Sequence, residues 1–448
     1  MRTIFGHNIR SDIVLLYLTE AVTVFLAAYA MLAWGIAQGV PMEQGRAALA
    51  ACMLALASGL VAGASGLYQP DVLARGRLLL GAGLVAAVLF LVASWLCLLL
   101  VGASSAGTAS LAAVGSLMLG AVAGVVLARM AYAMASRRGL LRRRLVIIGG
   151  AATERASQGA DAGRNPFDVV LALPGGPSLA EALRPERLRA GHVWAIVARD
   201  PAALDATLRR HCRDAGVRVL TEEEFNECRL QRVQCETLPR DWLATARCSH
   251  QSRAEAILRR GFDITVALTL LLFALPIMLI TAIAIRCDSP GPIFYRQLRA
   301  GQHRRPFNLC KFRSMVVDAE AGGAPRWATP GDPRATAVGR FIRLTRIDEL
   351  PQLINVLCGD MSIVGPRPER PGFVEQLGAV IPHYHDRASV KPGITGWAQV
   401  NYPYGASVED ARMKLAYDLY YVRRRSLFLD LLILVATVRV VLFQEGAR

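Results

Sequence analysis

The sequence predicts three parts: a membrane α-helical bundle of four spans, a Rossmann-like α/β cytosolic domain, and an α-rich monotopic third domain with a re-entrant helix. Three observations lead to this prediction. Four long apolar runs begin the chain, short apolar runs alternate with helical stretches in its middle, and a fifth apolar run containing a proline precedes a charged final third. We predict domains over residues 1–136, 137–250 and 251–448.

The composition is not that of an ordinary soluble protein. Hydrophobic residues make up 53% of the 448 residues, so part of the chain belongs in a membrane. The formal net charge of +16 is carried mainly by arginine, since the only lysines are Lys311, Lys391 and Lys414. This charge suits anionic lipids or phosphorylated substrates, and without a nucleic-acid motif we predict no nucleic-acid partner. The nine cysteines lack the paired spacing of zinc or redox sites.

The four apolar runs predict the membrane topology. They cover residues 13–37, 47–67, 78–101 and 109–134, and each can supply the roughly 20 residues that cross a bilayer. Basic residues lie before the first run, between the second and third, and after the fourth: Arg2, Arg10, Arg75, Arg77, Arg137, Arg138, Arg142, Arg143 and Arg144. The positive-inside rule therefore predicts that the N-terminus and everything after the fourth run face the cytoplasm.

The middle of the chain has the pattern of a parallel sheet with crossover helices. Residues 145–150, 167–173, 193–197 and 217–220 read as strands, and residues 178–188 and 201–215 read as helices. The turn Gly149-Gly-Ala-Ala-Thr lacks the full GxGxxG fingerprint of a dinucleotide site. We therefore favour a regulatory or assembly role for this domain over a working nucleotide site.

The fifth apolar run, residues 264–285, contains Pro276 near its middle and arginines on both flanks. A span would place one basic flank outside, against the charge rule, whereas a helix bent at Pro276 that re-enters the cytoplasmic leaflet satisfies both. We predict this re-entrant helix at about residues 261–286, with a kinked fifth span as the alternative. A last apolar stretch, about residues 427–443, contains Asp430 and Arg439 and is predicted to be an interfacial helix.

Asp348 and Glu349 form an acid pair just before Pro351, and Arg340, Arg343 and Arg346 precede them. In this basic neighbourhood both carboxylates are predicted to be ionised at neutral pH, able to bind a divalent cation or to attack an electrophile. Pro351 fits the first turn of a helix, so the alternative is that Asp348 only caps that helix.

Three further segments carry candidate anion ligands. Lys311 and Arg313 end a strand-like stretch, and Lys311 stands out in a chain that is otherwise rich in arginine. Arg367 lies between two prolines, which restrict its geometry and suit bidentate phosphate binding. Lys391 begins a glycine-rich loop and is also able to meet an anion.

The final third, from about Arg259, resembles the bacterial sugar transferases known as monotopic phosphoglycosyl transferases, or polyprenyl-phosphate hexose-1-phosphate transferases. The whole chain resembles their long form, similar to undecaprenyl-phosphate glucose phosphotransferases. The resemblance rests on the proline-broken helix and on four motifs: Lys311-Phe-Arg-Ser-Met, Asp348-Glu-Leu-Pro-Gln-Leu, Gly359-Asp-Met-Ser-Ile-Val-Gly-Pro-Arg-Pro and Lys391-Pro-Gly-Ile-Thr-Gly-Trp-Ala-Gln-Val-Asn.

This resemblance implies that the third domain is catalytic and transfers a sugar-1-phosphate from a UDP-sugar to undecaprenyl phosphate, releasing UMP. It makes Asp348 the nucleophile that forms a covalent aspartyl-phosphosugar, and Glu349 a ligand of Mg²⁺. Lys311, Arg343 and Arg367 take phosphate-side roles, and Gln352 is a candidate beside the acid pair.

The resemblance also implies a multi-pass protein of the bacterial inner membrane, with its catalytic domain on the cytoplasmic face in contact with membrane lipids. It suggests a homodimer and downstream glycosyltransferases of exopolysaccharide synthesis as partners. Two departures are present: Leu275 precedes Pro276 where the family commonly has Ser, and Tyr402-Pro-Tyr-Gly follows Asn401 where many members have Gly-Arg-Asn. A non-catalytic membrane scaffold and a nucleotide-sensing regulator are the competing hypotheses.

Overall fold

The structure is a computed structural model that describes residues 2–4, 7–9, 11–39, 42–68, 76–102, 108–138, 140, 142–149, 167–173, 179, 181, 183–199, 204–236, 238–245, 252–317, 332–403, 405 and 407–443. The features of the sequence analysis that lie outside the described residues include Arg10, Arg75 and the turn that follows Gly149. The chain forms two compact units: Asn8–Leu230 with Met1–Thr3, and Gln231–Arg448 with Ile4–His7. Two short strands, β1 (Arg2–Ile4) and β2 (His7–Ile9), begin the chain.

Four long helices follow: α1 (Ser11–Ala37), α2 (Gln44–Ala64), α3 (Gly76–Leu100) and α4 (Thr108–Arg137). All four, and the later helix α8, are long and apolar enough to cross a membrane. Small residues let α1 and α4 approach closely. A Cβ atom added at Gly124 would lie 2.5 Å from the Cα atom of Val24, and Thr23 Oγ1 donates to the backbone oxygen of Gly124 at 2.8 Å.

Glu20, a fully buried carboxylate of α1, has polar partners within the bundle. Its Oε2 atom accepts a hydrogen bond from the Tyr68 hydroxyl at 2.6 Å, and Arg129 Nη2 lies 2.9 Å from its Oε1 atom. Arg129 also donates to the backbone oxygen of Leu67 at 2.8 Å. A charge among apolar helices is tolerated because it is paired.

The predicted parallel sheet is confirmed, with strand order β4–β3–β5–β6. Its elements are β3 (Arg143–Ile148), β4 (Phe167–Leu173), α5 (Pro185–Ala190), β5 (Val193–Ala198), α6 (Ala206–Asp214), β6 (Arg218–Thr221) and α7 (Glu222–Leu230). Alternate β3 residues face opposite layers. Ile148 packs with Leu188 and Leu208 of α5 and α6, whereas Leu145 packs with Phe225 of α7.

The second unit begins with residues that pack against later elements: Val233 N donates to the Ala416 oxygen at 3.0 Å, and Trp242 Nε1 donates to Asp386 Oδ2 at 2.7 Å. The predicted boundary after residue 250 stays a prediction. Helix α8 (Arg253–Asp288) is longer than predicted and contains Pro276. The structure has it as one continuous helix, so the re-entrant path also stays a prediction.

The remaining elements pack around the hydrophobic core of the second unit. They are the antiparallel strands β7 (Phe294–Ala300) and β8 (Pro306–Phe312), α9 (Ala337–Leu344), α10 (Gln352–Cys358), β9 (Ser362–Val364), α11 (Pro371–Val380), β10 (Gly393–Thr395), α12 (Trp397–Asn401), α13 (Val408–Arg424) and α14 (Leu427–Leu442). Strands β9 and β10 pair in parallel.

Helix α14 occupies the position of the predicted interfacial helix, but its charged residues do not form a water-facing side. Asp430 and Arg439 are buried, whereas Leu431 and Leu442 are each 47% exposed. Asp430 forms an ion pair with Arg259 of α8 and accepts a hydrogen bond from the Tyr421 hydroxyl at 2.8 Å. The charges of α14 therefore fasten it to the protein, and its exposed side is apolar.

Candidate active site

The acid pair lies on a single 3₁₀ turn, Ile347–Glu349, between α9 and α10. Arg346 enters this turn with a left-handed backbone (φ 59°), an uncommon conformation for a residue with a side chain. Helix α10 begins after Pro351, so Asp348 lies three residues too early to be its capping residue. The capping alternative is therefore wrong, and the side chain of Asp348 is available for chemistry.

Three cations converge on one oxygen of Glu349. Arg367 Nη2 donates to Glu349 Oε1 at 2.7 Å, and Lys311 Nζ and Arg346 Nη1 each lie 3.4 Å from the same atom. Asp348 and Glu349 are both 8% exposed. A buried carboxylate is stable only when it is paired, and this arrangement gives Glu349 more positive partners than a single ion pair would.

The two neighbouring carboxyl groups titrate in opposite directions. Burial raises the pKa of Asp348 to about 6, an effect that Lys311 opposes and the Glu349 charge reinforces. Burial alone would also raise the pKa of Glu349, but Arg367, Lys311 and Arg346 together outweigh it and hold that pKa well below its usual range. Both groups are therefore mainly ionised at pH 7, and Asp348 is the more basic and more nucleophilic of the two.

A cleft of about 880 Å³ opens at the acid pair. Among the described residues that line it, ten are Arg or Lys and four are Asp or Glu, so its field favours an anion. Part of its lining is apolar: Phe273 and Ile277 of α8 line it together with Phe294. The ring of Phe294 stacks on that of Phe312, with 5.4 Å between the ring centroids. The cleft therefore suits both an anionic group and a hydrocarbon chain.

The structure brings together only some of the predicted phosphate ligands. Lys311, Arg343 and Arg367 line the cleft. Arg313 also borders it, but its guanidinium donates to the backbone oxygens of Pro290 and Ser289 at 2.6 and 2.7 Å. That guanidinium holds the turn after α8, which leaves little of it for a substrate.

Two predicted residues lie apart from the cleft lining. Gln352 is buried at the start of α10, and its Nε2 atom has no hydrogen-bond partner among the described residues. Lys391 lies near Gly359 and Arg260, and burial together with the Arg260 charge lowers its pKa. Neither residue is among those that line the cleft, so their predicted substrate roles remain predictions.

Arg387 and Asp418 form an ion pair that contacts the backbone of Arg367, and neither residue was predicted. Arg387 Nη2 donates to the backbone oxygen of Arg367 at 3.0 Å and to Asp418 Oδ2 at 2.7 Å. Arg387 Nη1 also donates to the Tyr384 hydroxyl at 3.1 Å. Both charged groups are largely buried. This ion pair fixes the backbone from which Arg367 reaches Glu349.

The donor set fits Mg²⁺ only together with a substrate. No group of three or more His, Cys, Asp or Glu residues suited to a metal occurs in the part of the chain that the structure describes. Two adjacent carboxylates remain, and Mg²⁺ commonly binds one or two carboxylates together with substrate phosphates. Three positively charged side chains already contact Glu349. A substrate diphosphate must therefore supply the negative charge that makes binding of a further cation favourable here.

Comparison with known proteins places these residues in a family. The sequence profile of the family described as "Bacterial sugar transferase" matches residues 254–444. The chain is 44% identical over 192 residues to "Uncharacterized sugar transferase EpsL" of Bacillus subtilis (strain 168), a match that covers 43% of this chain and 91% of that protein. The chain belongs to the bacterial sugar transferase family. The described residues that line the cleft, from Leu270 to Val441, all lie within the part of this sugar transferase that matches the family.

Two other relatives have more specific names. This sugar transferase is 43% identical over 237 residues (53% of the chain) to "UDP-N-acetylgalactosamine-undecaprenyl-phosphate N-acetylgalactosaminephosphotransferase" of Aeromonas hydrophila. It is 44% identical over 189 residues (42% of the chain) to "UDP-glucose:undecaprenyl-phosphate glucose-1-phosphate transferase" of Escherichia coli (strain K12). The matches span 55% and 40% of those two proteins, about half or less of their length.

Proposed function

We propose that this sugar transferase moves a sugar-1-phosphate from a UDP-sugar to a polyprenyl phosphate, with undecaprenyl phosphate as the acceptor, and releases UMP. The observation that carries the proposal is the acid pair in a cleft that both cationic and apolar side chains line. The names of the relatives from Aeromonas hydrophila and Escherichia coli support both substrates. The reaction would be the first membrane step in making a surface glycan such as an exopolysaccharide.

In the first step, an oxygen of Asp348 attacks the β-phosphorus of the UDP-sugar. The new bond joins that oxygen to phosphorus, the bond from phosphorus to the bridging oxygen breaks, and UMP leaves with the electron pair. Lys311, Arg343 and Arg367 bind the phosphate oxygens and stabilise the charge that develops on them. Glu349 would hold Mg²⁺ together with the diphosphate, and the ion when bound would neutralise the diphosphate and ease the departure of UMP.

In the second step, a phosphate oxygen of the polyprenyl phosphate attacks the phosphorus held by Asp348. The bond from phosphorus to the aspartyl oxygen breaks, the carboxylate is restored, and a polyprenyl diphosphate sugar leaves. Because the transfer has two steps, UMP can leave the site before the lipid acceptor enters. The apolar side chains of Phe273 and Ile277, which line the cleft, suit the hydrocarbon chain of the acceptor.

The test is a UMP-release assay on the full chain with Mg²⁺, undecaprenyl phosphate and a panel of UDP-sugars. We expect UMP release with at least one UDP-sugar, and that sugar identifies the donor. Omitting undecaprenyl phosphate should limit release to one equivalent per chain. Binding of polysaccharide enzymes without UMP release from any donor would favour the scaffold hypothesis.

The pH dependence follows from the raised pKa of Asp348, which is about 6. The nucleophile must be ionised, so the active form is lost as the pH falls through this value. We expect kcat/KM for UMP release to decrease about tenfold per pH unit below pH 6 and to reach a plateau above pH 7. A profile that is flat from pH 5 to pH 8 contradicts this assignment.

For topology, we propose four spans (α1 to α4), a re-entrant α8 and a catalytic unit on the cytoplasmic face of the inner membrane. Cysteine labelling tests the path of α8: the exposed Cys287 marks its end, and Glu255→Cys marks its start in a background without other accessible cysteines. Both should react only with cytoplasmic reagent, and Glu43→Cys, before α2, should react from outside. Labelling of Cys287 from outside would show that α8 spans.

A further inference from the structure

The amino-terminal ends of three neighbouring strands in the first unit carry a basic and aromatic edge. Arg143 begins β3, Trp194 is the second residue of β5, and Arg218 begins β6. The guanidinium carbons of Arg143 and Arg218 lie 5.1 and 5.0 Å from the centroid of the Trp194 ring. The indole therefore holds two cations in fixed positions through cation–π contacts. We call these three residues with Arg142 and Arg144 the amino edge.

The amino edge attracts anions. Arg142, Arg144 and Arg218 are exposed, and Asp168 is the exposed acid on the neighbouring strand, opposite Arg144 in the sheet register. Burial and the nearby charge of Arg218 lower the pKa of Arg143, as expected where like charges share one aromatic ring. A surface that holds several guanidiniums close together gains free energy when anionic groups approach it.

The amino edge lies close in sequence to the end of the apolar helix α4. Helix α4 ends at Arg137 and β3 begins at Arg143, and the first unit contains both elements. Five residues connect them and reach roughly 20 Å at most. Helix α4 is long and apolar enough to cross a bilayer, so a bilayer around it ends near the amino edge. Arginine and tryptophan are the residues that favour the lipid head-group region.

We propose that the amino edge binds the anionic phospholipid head groups around the end of α4 and so holds the parallel sheet against the membrane surface. The proposal rests on the proposed span of α4, and it does not depend on the transferase reaction. Charge complementarity selects anionic lipid over zwitterionic lipid. Each arginine near such a surface contributes about 1 kcal/mol, or about fivefold in the equilibrium between bound and released sheet.

The test uses the full chain in nanodiscs that contain lipid with a spin label on its head group. The Trp194 signal is the difference between the chain and its Trp194→Phe variant. We expect strong quenching of Trp194 in discs with phosphatidylglycerol, weak quenching in discs of phosphatidylcholine alone, and loss of quenching at 0.5 M salt, where the Debye length is about 4 Å. The salt arm uses the unaltered protein, so it does not depend on any variant folding.

Matched variants test whether the amino edge causes the quenching of Trp194. Arg142→Gln and Arg218→Gln should each reduce the bound fraction about fivefold in equilibrium terms. Arg199→Gln removes an exposed arginine just beyond the opposite end of β5 and should change nothing. Equal quenching in both kinds of disc, or none in anionic discs, overturns the proposal. Quenching that appears only when a second protein is added also overturns it in favour of a protein partner. The topology of α4 is tested separately with Arg138→Cys: labelling of this cysteine from outside would show that the proposed span of α4 is wrong.

Discussion

We expect Asp348→Asn to lower the rate of UMP release by at least about a thousandfold, the order of loss seen when a covalent nucleophile is removed. The amide keeps the shape of the side chain but has no carboxylate to attack phosphorus. In the unaltered chain, incubation with the correct UDP-sugar and no lipid acceptor should add the mass of one sugar phosphate, and Asp348→Asn should remain unmodified. Intact-mass spectrometry and the UMP assay measure the two effects independently.

Glu375→Gln is the matched control, because Glu375 is an exposed carboxylate on α11 that does not line the cleft. It should leave both measurements unchanged. Substantial UMP release by Asp348→Asn would mean that the lipid phosphate attacks the donor directly. In that case Asp348 would act only on charge or metal, and the two-step mechanism would be wrong.

The sequence predicted the sheet, and it singled out the acid pair as a candidate site, because both depend on local patterns. Residues 167–173 form an apolar, strand-like run between turn residues, and β4 has the same limits. The acid pair next to Pro351 was found from adjacent residues. Lys311 was found as a candidate anion ligand because it is a lysine in an arginine-rich chain. Its Nζ atom lies 3.4 Å from Glu349 Oε1, across 38 positions of sequence.

The partners of each cation could not be predicted, because they depend on contacts between distant elements. Lys311 and Arg313 end the same strand-like stretch in the sequence, but β8 ends at Phe312, and the Arg313 guanidinium instead holds the turn after α8. Arg387 supports Arg367 across 20 positions with no motif linking them. Arg346 belongs to the basic run before the pair, but the sequence does not show its left-handed backbone or its contact with Glu349 at 3.4 Å.

We expect Arg367→Met to lower kcat/KM at pH 7 by about 100-fold or more, the loss typical of removing one donor from a preorganised charge-stabilising site. The same substitution should change the pH profile. Arg367 is among the cations that hold down the pKa of Asp348, which is about 6 in the unaltered protein. Without it the pKa rises further, so the decline of activity at acidic pH should begin at a higher pH.

Arg367→Lys separates charge from geometry, because it keeps a cation but loses the planar fork of the guanidinium. It should restore the position of the acidic limb near pH 6 while recovering only part of the rate. Arg305→Met, at an exposed arginine outside the cleft lining, is the control and should alter neither quantity. Removing Arg367 also deprives a buried Glu349 of its nearest partner, so thermal unfolding must be followed in parallel. A folded Arg367→Met variant whose acidic limb stays in place would show that Arg367 does not tune the nucleophile, since its charge would then not reach Asp348.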